Sequence, residues 1–79
     1  MPELIMKLED AEKLHKSLLE TKKALGYIPS ALLTEAVTQI SKARKAAKLR
    51  FFELLSQGDT ELLRAFWRKW TELGLDDER

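Results

Sequence analysis

Two stretches of this chain repeat side chains at alternating steps of four and three residues. In the first, Leu4, Leu8, Ala11, His15, Leu18, Lys22 and Leu25 fall on one line. In the second, Leu33, Val37, Ile40, Arg44, Ala47, Phe51 and Leu54 do the same. That spacing keeps one stripe of a helix turned toward a neighbouring helix, whereas a strand repeats every second residue. The pattern therefore predicts an all-α fold, and 79 residues leave room for one domain with one core.

Glycines mark the expected helix ends. The first helix is expected over about residues 2–25: Pro2 suits a first turn, and Gly26 can take the left-handed conformation that ends a helix, with Tyr27 and Pro29 beyond it. Ser30 reads as the N-cap of a second helix that runs unbroken over about 31–57 and stops at Gly58. Asp59 or Thr60 caps a third, over about 60–73, and Gly74 with Leu75 repeats the stop. The acidic tail at 74–79, with Asp76, Asp77 and Glu78, is expected to fray. The predicted architecture is a three-helix domain, a long antiparallel helical hairpin plus a short third helix.

The short link at 26–29 sets a register in which Leu18 meets Val37, His15 meets Ile40, Ala11 meets Arg44, Leu8 meets Ala47 and Leu4 meets Phe51. Large faces small in several of these layers, as a filled core requires. The third helix turns Leu62, Leu63, Phe66, Trp70 and Leu73 to one side. It measures about 21 Å against about 40 Å for the second, so it covers half the hairpin. The other half leaves Leu19, Tyr27, Ile28 and Leu32 without obvious cover. An apolar patch of that kind marks a contact surface, and two hairpins docked about a two-fold axis complete a four-helix bundle. A homodimer contact is the first expectation, with a heterologous protein partner on the same surface as its competitor.

Composition removes other classes. There is no cysteine, so disulfides and thiolate metal sites are excluded. No apolar run reaches membrane-spanning length and the first ten residues do not read as a secretory signal, so the expected compartment is the cytoplasm. With one histidine and no glycine-rich phosphate loop, no catalytic set and no cofactor site is expected. Glu12-x-x-His15 matches half of a di-iron bundle motif, but Glu35 and Glu53 point away from the seam, and a polar residue fixing helix register explains His15 better.

Arg44 occupies a seam position and needs either a carboxylate, Glu12 or Asp10, or an exit to water; it is also a candidate contact with another chain. Lys42, Lys45 and Lys48 form a solvent-side row, and Arg64, Arg68 and Lys69 interleave with Trp67 and Trp70. This makes nucleic acid the alternative partner, through the basic face of the second helix and Trp67. A net charge of +1 weighs against it. The leading expectation is a non-enzymatic, small helical protein-interaction module, accessory or inhibitory, or self-associating.

Overall fold

The computed structural model describes residues 6–75. Pro2, Leu4 and residues 76–79 of the acidic tail lie outside the described residues. The described residues form four helices and no strand: α1 (Leu8–Leu25), α2 (Ser30–Ser41), α3 (Lys45–Gly58) and α4 (Thr60–Glu72).

The expected second helix is thus two. It breaks at 42–44 without a glycine or proline. α2 closes on tightened bonds, Lys42 N–H to the Gln39 carbonyl at 3.2 Å and Ala43 N–H to that of Ile40 at 3.0 Å. Arg44 then turns extended (φ −66°, ψ 155°) and starts α3. Thr34, Thr38 and Ser41 each donate a side-chain hydroxyl to a carbonyl three or four residues back, which competes with the helical ladder in this segment. Tertiary burial supplies the larger reason. With the break, Leu33, Val37 and Ile40 of α2 and Ala47, Phe51 and Leu55 of α3 enter one core, with Ala43 buried in the corner between them. The break also shifts the buried line, so that Leu55 is buried and Leu54 only half-buried.

The direction of packing is the second correction. Glu12 pairs with Arg50, and ten residues further along α1, Lys22 pairs with Asp59. Both numbers rise together, so α1 and α3 run parallel, whereas the hairpin register has them antiparallel. α1 packs chiefly on α3 and only lightly on α2, while α4 lies against both α3 and α2. The half of the hairpin expected to be bare is therefore partly covered: Leu19, Ile28 and Leu32 are half-buried against the core, and Tyr27 stays exposed.

The local stops behave as their residue types dictate. Gly26 takes φ 83° and donates its N–H to Lys22 O at 2.6 Å. Gly74 takes φ 76°, and Leu75 N–H reaches back to Trp70 O at 3.0 Å. Asp59 caps α4 by accepting the Leu62 N–H at 3.0 Å. Ser30 falls one place inside α2, whose cap position is Pro29. Around Phe51 the core is aromatic: its ring centroid lies 5.1 Å from that of Phe66, which stacks in turn on Trp70.

The chain has no cysteine, so paired spin labels can be placed cleanly on introduced ones. Labels at Lys23 and Gln57 are expected to lie close. Labels at Lys23 and Lys45 should be clearly further apart, because about 18 Å of axial rise separates the two α3 positions. An antiparallel α1 and α3 reverses that order.

Candidate functional site

Because α1 and α2 touch so lightly, a groove of about 840 Å³ opens between them. It runs from Met6 and Lys42 at one end to Ser17 and Leu32 at the other. Leu14 and Leu32 give it an apolar floor, with the buried Ala36 behind them. Its charged rim holds Lys7, Lys13 and Lys42 against Glu9, Asp10 and Glu35. Asp10 is partly engaged, since it accepts the Lys7 N–H at 3.3 Å where α1 begins. Of the residues expected to bind a partner, Leu32 lines this groove; Leu19, Tyr27 and Ile28 do not. Leu14 and Ala36 were not anticipated as site residues. Leu14 is half-buried at the groove and Ala36 lies buried behind it.

Arg44 is not in a seam. It is exposed at the break, beside Met6 and Leu8 at the start of α1. Neither of its expected carboxylates serves it: Glu12 Oε2 accepts from Arg50 Nε at 2.9 Å, and Asp10 faces its own helix start. The break also splits the expected basic row. Lys42 ends α2, while Lys45 and Lys48 lie in the first turn of α3. Trp67 is 41% exposed at the margin of the aromatic core, between Arg64 and Arg68.

His15 is enclosed. It packs edge-on against Phe51 at a centroid distance of 6.4 Å, and its Nε2 has no hydrogen-bond partner among the described residues. The ring lies against Gly58, where an added Cβ would sit 3.2 Å from Nε2. Burial holds its pKa below the ordinary 6.5, with nearby Asp59 opposing the shift. Beside it, Lys22 Nζ donates to Asp59 Oδ2 and, at 3.2 Å, to Glu61 Oε2. The Lys22 hydrogen bond and the Leu62 N–H together hold the Asp59 carboxyl below its ordinary 3.8. Among the described residues no three His, Asp or Glu side chains converge as metal ligands, and no helix is long and apolar enough to cross a membrane.

These shifts give stability a two-step acid dependence. The unfolded chain protonates His15 more readily than the folded chain does, so its contribution is whole above pH 6.5 and declines as pH falls below that value. The Asp59 contribution is whole above pH 3.8 and is lost only as pH falls through its lower folded value. Urea midpoints measured against pH are expected to fall in both windows. Replacing His15→Leu should flatten the upper window and leave the lower. A wild-type midpoint that stays constant from neutral pH to the carboxylate range contradicts the enclosed, unpaired imidazole.

No protein family, no curated protein and no solved structure matches this chain.

Proposed function

We propose that this chain is a non-enzymatic helical interaction module that self-associates through the groove between α1 and α2. The observation that carries the reading is the groove itself: an apolar floor bordered by three cations and three carboxylates. A rim of a single sign repels its own copy. A balanced rim lets a second copy, turned about a two-fold axis, set its cations against the first copy's carboxylates, and closed two-fold dimers are the commonest assembly. Size supports the same reading, because a domain of this length buries a modest share of its surface alone and gains stability by association. A binding rather than catalytic role is supported by His15, the one histidine, being enclosed and turned toward Phe51 and Gly58.

Light scattering on the whole chain is expected to give the mass of a dimer at concentrations well above micromolar. Leu32→Lys places a charge on the groove floor. It should weaken association by about 100-fold or more, equivalent to about 2.7 kcal/mol, while circular dichroism stays helical. Tyr27→Lys, outside the groove, should leave the mass unchanged. A wild-type chain that remains monomeric overturns the reading, as does a dimer indifferent to Leu32→Lys.

A further inference from the structure

Charge is not spread evenly along this chain. From residue 36 to residue 75 it carries eight Lys and Arg against four Asp and Glu. All four carboxylates are already taken: Glu53 by Arg50, Asp59 and Glu61 by Lys22, and Glu72 by Lys69. Lys42, Arg44, Lys45, Lys48, Arg64 and Arg68 have no carboxylate partner among the described residues. The chain's near-neutral total conceals this, because Glu3 and the acidic tail lie outside the segment.

A partly open aromatic ring at the edge of the core lies among these cations. Trp67 rests on Phe52, centroids 5.2 Å apart and planes 30° apart, and meets Trp70 edge-on at 5.9 Å. The indole is thus braced from inside while 41% of the residue stays open. Arg64 and Arg68, three residues before it and one after, border a shallow basin of about 560 Å³ around it, with Thr71 and the paired Glu72 completing the wall. On α3, Lys48 and Lys45 stand one and two turns before Phe52, on the stripe that leads to the Trp67 stack.

We propose that this α3/α4 face binds single-stranded nucleic acid, with Trp67 stacking on one base and Arg64, Arg68, Lys45 and Lys48 taking the phosphates. A braced indole with a free surface stacks on any unpaired base, and flanking guanidiniums and ammoniums match a backbone of evenly repeated negative charge. A duplex offers no free base face to a ring lying in a shallow basin. An acidic peptide uses the cations and leaves the ring without a role. The face lies on other helices than the α1/α2 groove, so this proposal does not depend on self-association.

The test is fluorescence anisotropy of the full chain with a labelled oligodeoxythymidylate of about ten nucleotides. Binding is expected to weaken about 50-fold between about 50 and 200 mM salt, the effect of a log–log slope near −2.8 for four neutralised phosphates. Trp67→Ala should weaken binding tenfold or more, in keeping with a stacking contribution of about 1–3 kcal/mol per base, and leave the slope unchanged; Trp67→Phe should recover most of the loss. The double change Arg64→Glu, Arg68→Glu should halve the slope. Circular dichroism checks that each variant is folded, and if Trp67→Ala is not, the Phe variant and the arginine pair decide. No binding at about 50 mM salt overturns the proposal. So does binding indifferent to Trp67, equal affinity for the duplex of the same sequence, or equal affinity for polyglutamate.

Discussion

Three residues, 42–44, decide how everything else in this protein packs. α4 carries Leu62, Phe66 and Trp70 on one buried stripe. A helix of its length can shield only about half of an unbroken helix running from 31 to 57. Turning the chain at Lys42 brings both halves of that stretch within reach of α4, so one short helix serves two neighbours. The turn also removes Arg44 from an apolar seam and delivers it to water, avoiding the burial of an unpaired guanidinium. The groove between α1 and α2 is the other consequence. Once α2 commits to α4, it can no longer lie flush along α1.

Local features of this architecture were legible in the sequence because local chemistry determines them. Gly26 and Gly74 adopt the left-handed conformation that only glycine takes at little steric cost, and Asp59 does the capping work its side chain is built for. The buried line through Ala11, His15 and Leu18, and through Leu33, Val37, Ile40, Ala47 and Phe51, follows from spacing alone. The break was hidden for the same reason. The 4-3 pattern continues straight through residue 44, with no glycine or proline to interrupt it. The one local sign was Arg44 itself, a charge at a position where every neighbour on the stripe is apolar. Long-range choices were invisible from one strand of text: the parallel run of α1 and α3 rests on pairs such as Glu12–Arg50, whose members stand 38 residues apart.

The candidate surfaces were legible in part. Leu32 and Trp67 attract notice as residues the core does not fully claim. Leu14 does not, since by its spacing it is an ordinary member of an amphipathic helix, and it meets the groove only through the light contact of α1 with α2. The basic character of α3 and α4 was obscured by counting charge over the whole chain. Ion pairing sharpens it further, because the few carboxylates in that segment are spent on cations that hold helices in place: Lys22 ties α1 to Asp59 and Glu61, while Arg50 links α3 to α1 through Glu12 and also takes up Glu53. Structural salt bridges thus leave an unbalanced charge where no single residue announces one.

Of the three glycines, Gly58 alone has a neighbour pressed against the place a side chain would take. Its backbone is not left-handed, so its lack of a side chain serves space rather than conformation. A Cβ there would stand 3.2 and 3.3 Å from two atoms of the His15 ring. Positions 15 and 58 therefore share a single volume, though they lie far apart in the chain and on different helices. Over evolutionary drift the two are felt together: a lineage that gains a methyl at 58 asks the ring at 15 to give way by a few tenths of an ångström, which a smaller residue there does more readily. Covariation of this pair, glycine with imidazole and alanine with something smaller, is the trace such a shared space leaves among descendants.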